Sequence, residues 1–470
     1  MSDKAKKILF KSKARQKVFK GIHFITDALK TSLGKNHDNF NYDFVKDLIS
    51  NYIKDDFEKV GAEIALKTVH EVKKNSSSAI TALIMLDAIL KKGIELVDNN
   101  TCPQDINKSL DLALADLFSK LDKITYFIKD TKDLARIVNY YAHHNKDISY
   151  TVIKSFEKIG LAGSFILNQT RDSTNKIEVT DGLELDQGYL SHFFCTDEKN
   201  MITELNLCKV LIVDKKISSI QEIFPLLKQL TKPSEELLII AKDLHKDVVS
   251  TLAMNKLQKT VKVAAIKLDQ NDSIKNLANL TNAKIVTKND SLLDLPQTAL
   301  GQAYKAVIHK DRTIIATQNP LKGCSHLKNK IAIIHMNISD TNQTKMLYNS
   351  CIEKTKMAIE QGVIVGGNFG LFFALHSIDK SNIVIGIDLL KAAIYAPLMQ
   401  MIFNAGHDPK PILKSISNMG YPNGFNLNTH KIDNFLESGI LDPVKIVKNS
   451  LEYVVSTAKT LMLTDALMIK

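Results

Sequence analysis

The chain has 470 residues, about three times a typical domain, and can bury a substantial core without disulfides or metals. Hydrophobic residues are 44% and charged residues 24%, which excludes a largely disordered chain; 62 basic against 51 acidic residues leave a net charge of +11. The most apolar run, 383–403, is broken by Asp388 and Lys391, so no transmembrane segment is expected.

Residues 1–20 carry eight Lys or Arg against one acid, Asp3. The run reads first as the solvated start of a helix; a nucleic-acid or membrane-surface arm and a targeting segment are the alternatives. No interleaved aromatic and basic motif supports a specific nucleic-acid partner. The start also lacks an apolar h-region, so a cytoplasmic location is expected. Val18, Ile22, Ile25, Leu29 and Leu33 recur at helical steps and Gly34 stops the pattern. A second helix is expected after Ser76, Ser77 and Ser78, which are N-cap residue types, through Leu90. A third runs from Pro103 to Leu121, with Pro at the start where its missing N–H does no harm. The adjacent His143 and His144 have no carboxylate or Cys at ligand spacing, and no metal site is expected there.

The middle alternates differently. Val210 to Val213 and Leu237 to Ile240 are short apolar runs, followed by helical patterns from Ser219 to Leu230 and from His245 to Leu257. Strands at 261–266 and 283–286 flank a helix near 273–280. This is the rhythm of βαβ units with a parallel core, and neither a G-x-G-x-x-G nor a Walker loop accompanies it. Helical patterns return at 352–361, 389–405 and 444–463. An α/β unit is therefore inserted into a helical one. Cys102, Cys195, Cys208, Cys324 and Cys351 are odd in number and widely spaced, which favours free thiols in a reducing compartment.

Six short motifs, in chain order, resemble the GroEL-type group I chaperonins (the 60 kDa chaperonin family). They are Lys13-Ala14-Arg15 through Leu33-Gly34; Asp186-Gln187-Gly188-Tyr189-Leu190-Ser191; Val213-Asp214-Lys215-Lys216-Ile217-Ser218; Val261-Lys262-Val263-Ala264-Ala265; Glu360-Gln361-Gly362-Val363-Ile364-Val365-Gly366-Gly367; and Gly439-Ile440-Leu441-Asp442-Pro443. The resemblance implies a multi-domain α+β fold. Its parts are a mostly helical equatorial domain from 1–123 and 362–470, an intermediate domain from 124–180 and 331–361, and an inserted α/β apical, client-binding domain over 181–330.

The resemblance also implies a site for ATP and Mg²⁺, and here the sequence departs from the family. The family turn Gly-Asp-Gly-Thr-Thr-Thr, which cradles phosphates at a helix N-terminus, aligns with Ser76-Ser77-Ser78-Ala79-Ile80-Thr81. Ser77 stands in place of the metal-binding carboxylate, and Ile80 is expected to add bulk where a phosphate oxygen would lie. Ser350 replaces the aspartate that positions the attacking water, and a neutral hydroxyl is a poor general base. Asp43 is the possible remnant of a third carboxylate. Nucleotide contacts carry over to Leu33, Gly34, Thr81, Gly367, Asn426 and Asp442. On its own, Asp442-Pro443 reads equally well as an N-cap followed by Pro at the first helical position. Nucleotide binding is expected to be weakened, ATP hydrolysis weak or lost, and no protein-held metal is expected.

The family's client-binding positions are Tyr189, Phe193, Phe194, Phe224, Leu227, Val249, Ala253 and Met254 here, all apolar or aromatic. Periodicity alone reads them as core stripes of a βαβ layer; the resemblance turns them outward, as an adhesive face for unfolded proteins. About ten residues of a family hairpin that pairs neighbouring subunits are missing between Gly34 and Asp43, so small assemblies are expected rather than the family's double ring. The expectation is a divergent chaperonin-like chaperone binding unfolded clients, in company with a standard chaperonin or its own copies. An active ATP-dependent chaperonin and a non-catalytic scaffold paralogue are the alternatives.

Overall fold

The computed structural model describes residues 7–34, 42–74, 78–170, 176–198, 201–229, 235–258, 262–317, 329–337, 342–379 and 383–469. The helical ends and the strand-rich middle separate into two units, 1–149 with 347–470, and 150–346. The expected intermediate segments are shared out between them: 124–149 and 347–361 pack with the first unit, 150–180 and 331–346 with the second.

In the first unit the helix Lys11–Leu29 begins earlier than the apolar repeat, because its basic first turns are paired within the unit. The buried Arg15 meets Asp98 and Asp465, and Lys17 meets Asp55 and Glu58 at 2.7 and 2.8 Å. These contacts absorb part of the basic run in intramolecular pairing. The helix crosses Asp56–Lys74 at backbone contact. A Cβ on Gly21 would lie 1.9 Å from the Glu58 carbonyl, and one on Gly61 2.0 Å from the Val18 carbonyl. Ala79–Asp98 and Pro103–Lys123 pack against both Val444–Met462 and Val384–Asn404. That last helix is long and apolar enough to cross a membrane by length and composition, with half of its most apolar window buried. In this structure it packs against Ala79–Asp98 and Pro103–Lys123.

The second unit is built on a nine-stranded mixed sheet. Thr203–Ile217, Glu236–Leu244 and Lys262–Lys267 run parallel, with Ile285–Val286 also parallel to Thr203–Ile217. Val210 to Val213 and Leu237 to Ala241 are buried on both faces, the state that a continuous apolar run suits. The other half was not expected. Gly301–Ile308, Thr313–Thr317 and Lys176–Leu185 continue the sheet antiparallel, and Asn329–Asn337 pairs with both Lys176–Leu185 and Ser164–Thr170.

The pattern from Ser219 to Leu230 is not one helix. A 3₁₀ turn, Ile220–Glu222, precedes Phe224–Gln229. Glu222 accepts from the Ser218 and Ser219 N–H groups at 2.9 Å each, closing a capping box. Pro225, second in Phe224–Gln229, lacks the N–H that a continuous helix would donate one turn back, and it tolerates this early position. Leu230, Val261 and Cys324 lie outside the described residues, as do Ser76 and Ser77. The thiols of Cys102, Cys195, Cys208 and Cys351 are free.

Candidate functional site

Two adjoining clefts open in the first unit, of about 250 and 430 Å³, sharing Tyr140, Gly367 and Met401 in their walls. Segments far apart in sequence meet there. The 3₁₀ turn Lys30–Ser32 brings in Leu33 and Gly34, with Gly34 in the left-handed region (φ +85°). Asn404 fastens this turn by donating to the Lys30 and Leu33 carbonyls at 2.8 Å each. The turn after Val363–Val365 supplies Gly367, also left-handed (φ +62°), where a side chain would be strained.

Asp442 does not cap a helix. It lies in the short strand Leu441–Pro443, antiparallel to Val363–Val365, and Pro443 takes the N-cap of Val444–Met462. The Gly367 N–H donates to Asp442 Oδ2 at 3.0 Å. Burial pushes the Asp442 carboxyl up from the usual carboxylate range, against the pull of Lys354 and the Gly367 N–H. The phenols of Tyr140 and Tyr141 are pushed up by the same burial.

At the helix Ala79–Asp98, Ser78 is an N-cap in fact. Its Oγ accepts from the Thr81 N–H at 3.3 Å and from Thr81 Oγ1 at 2.9 Å. Ser78 and Thr81 line the smaller cleft, while Ile80 does not. Ile80 is buried against Leu33 and Ile84, so its bulk belongs to the core and not to the phosphate side as expected. The reason is the helical turn: positions 78, 81 and 85 face the cleft and 80 and 84 face inward.

Leu33, Thr81, Gly367 and Asp442 line the smaller cleft; Gly34, Gly367 and Asn426 line the larger. The amide of Asn426 is taken up by its own hairpin, donating to Asp433 at 2.8 Å and accepting from the Asn428 N–H. Asp43, exposed in the first turn of Tyr42–Tyr52, lines neither cleft, and neither does Ser350. One turn beyond Ser350 is Lys354, the smaller cleft's single cation among the described residues, which the sequence reading missed. A lysine within a helix carries no signal that separates a cleft wall from a solvated face.

Magnesium needs oxygen ligands, commonly including a carboxylate. Among the described residues, the lone carboxylate of the smaller cleft is Asp442, held by Gly367, and no group of three His, Cys, Asp or Glu could hold a metal ion. The residues present fit a nucleoside better than a protein-held Mg²⁺.

The client positions divide. Phe194, Leu227 and Ala253 are buried in the core of the second unit, so they are corrected from surface to packing residues. Tyr189 and Val249 are half-buried against that core. Phe193, Phe224 and Met254 remain exposed, at 47%, 47% and 55%. Leu190 and Leu257 join them. Leu257 could have been found from sequence, three residues after Met254 on one helix. The helix Lys246–Leu257 packs against the turn His192–Phe194 and is tied to it by Lys256 Nζ donating to the Cys195 carbonyl at 2.5 Å. The Phe193 ring lies on His192 with centroids 3.9 Å apart, and Lys228 sits 4.6 Å over Phe224.

The sequence model of the TCP-1/cpn60 chaperonin family matches residues 76–470. The chain is also similar to Chaperonin GroEL 3 of Protochlamydia amoebophila (strain UWE25), being 27% identical over 519 aligned residues that cover 98% of this chain and 97% of that protein. With a helical unit made from both chain ends, an inserted sheet unit and a match across most of its length, the chain belongs to the TCP-1/cpn60 chaperonin family.

Proposed function

We propose that the chain is a chaperonin-type chaperone that holds unfolded polypeptides on the apolar side chains of its 150–346 unit, with nucleotide binding weakened and ATP hydrolysis weak or lost. The observation that carries the reading is the exposure of Phe193, Phe224 and Met254 on elements next to one another around a well-packed core. Apolar side chains left in water beside a saturated core cost stability and usually mark a binding surface. Met254 adds a side chain able to adapt to clients of differing shape. The clefts of the first unit support the nucleotide half of the reading. They keep Gly34, Gly367 and Asp442, and they offer hydroxyls at Ser78 and Thr81 with no carboxylate cluster for a metal among the described residues.

The test is light scattering from a chemically denatured enzyme diluted into buffer with the full chain, without nucleotide. Suppression at about one chain per client is expected. Aggregation at the same rate with and without the chain would overturn the holding function.

A further inference from the structure

We infer that the smaller cleft takes a phosphate-bearing anion through Lys354, in place of a divalent cation held by the protein. The inference rests on the nucleotide reading above and deepens it. Among the described residues, Lys354 is the one cationic residue in the cleft wall, and Asp442 the one carboxylate. That carboxylate has its own hydrogen bond, from the Gly367 N–H at 3.0 Å. No ion pair to Lys354 is found among the described residues; its Nζ lies 6.0 Å from the Tyr141 ring centroid, a weak contact that leaves the charge available. Ser350 and Lys354 stand one helical turn apart on Asn342–Gln361. A carboxylate at 350 would face Lys354 at i, i+4 and pair with it; a serine leaves the ammonium without that partner. The replacement that removes a catalytic acid is thus the one that frees a cation beside the cleft. Ser78, Thr81 and Ser450 add hydroxyls to the same wall. A lysine binds phosphate as a point charge, needs no metal, and tolerates chelation.

The experiment is calorimetric titration of the full chain with ADP, in Mg²⁺ and again in EDTA, and with pyrophosphate in EDTA. The dissociation constants for ADP should agree within about threefold between the two buffers. Lys354→Met should weaken ADP in EDTA by about tenfold or more, the loss of one charge-assisted contact, and Lys354→Arg should restore most of it. Circular dichroism and the melting curve of each variant report folding separately. Pyrophosphate binding that also depends on Lys354 would place recognition on the phosphates; ADP binding alone would make the nucleoside part of it, and both outcomes support Lys354. Binding of ADP that tightens about tenfold with Mg²⁺, or a folded Lys354→Met chain with unchanged affinity, would overturn the inference while leaving the nucleotide reading intact. No binding in either buffer would overturn both.

Discussion

Replacing Phe193 and Phe224 together by Ser should remove most of the holding activity while leaving the second unit folded. Each ring is 47% exposed. A phenylalanine offers about 200 Å², so about 90 Å² per ring is left for a client to cover. At about 25 cal/mol per Å² the pair is worth at most about 4.5 kcal/mol. A client covers part of that area and loses chain freedom when it binds, so about 1.5–2 kcal/mol is a fair net value, or roughly 10–30-fold in affinity. The covered half of each ring makes a similar contribution to folding, which is why stability must be followed in parallel. The assay is the chain concentration giving half-suppression of client aggregation, read beside a urea unfolding curve. Leu112→Ser is the control: Leu112 is 61% exposed, but on the first unit. If the double variant is folded and holds client within about twofold of the parent, the apolar face has been misplaced.

Three other outcomes follow from the same reading. Steady-state phosphate release with Mg²⁺ should run about 10²–10⁴ below that of a chaperonin bearing carboxylates at the positions of Ser77 and Ser350, and a comparable rate would count against a lost catalytic acid. Gly61→Ala should destabilise the first unit by about 3 kcal/mol, since the new methyl meets the Val18 carbonyl at 2.0 Å and backbone cannot step aside; an unchanged melting temperature would mean the helices do not cross so closely. Asp290 is held well below the usual carboxylate range by the Thr287 hydroxyl and Lys284, with the Thr287 N–H adding to them. A depressed folded pKa gives stability that is present above the unfolded value of about 3.9 and lost as pH falls toward the folded one. Urea midpoints of the parent should therefore fall more steeply than those of Asp290→Asn below about pH 4, and parallel curves would remove Asp290 from the acid response.

The helical ends and the parallel strands were legible because each is fixed by local pattern. A 3.6 repeat marks one buried face, and an apolar run with short connections marks a strand buried on two. The antiparallel half of the sheet was not legible. Asn329–Asn337 pairs with Ser164–Thr170 and Lys176–Leu185 across about 150 residues of chain, and no local signal sets such a register. Polar residues inside the strands add to the disguise. Lys305 is buried in Gly301–Ile308 because Glu204 on the neighbouring strand, at 3.1 Å, and Asn168, at 3.0 Å, receive its ammonium. Read alone, that lysine argues for an exposed position.

The clefts show where motif matching helps and where it stops. Leu33, Thr81, Gly367 and Asp442 come from four distant segments, and only their likeness to known motifs placed them on one site; periodicity could not. The likeness carries residue positions, however, and not the angle at which each side chain leaves the backbone. Helical residues differ by about 100° per step, so Ile80 and Thr81, adjacent in sequence, end on opposite duties, one in the core beside Leu33 and one on the cleft wall. The apical positions obey the same rule: Phe193 is exposed and Phe194 fully buried, Met254 exposed and Ala253 buried. Which member of each adjacent pair is left exposed is thus decided by local turn geometry. Lys354 is the converse case. Nothing in its sequence neighbourhood marks it, yet its place one turn after Ser350 puts a positive charge in the wall of a cleft whose one described carboxylate, Asp442, is held by the Gly367 N–H.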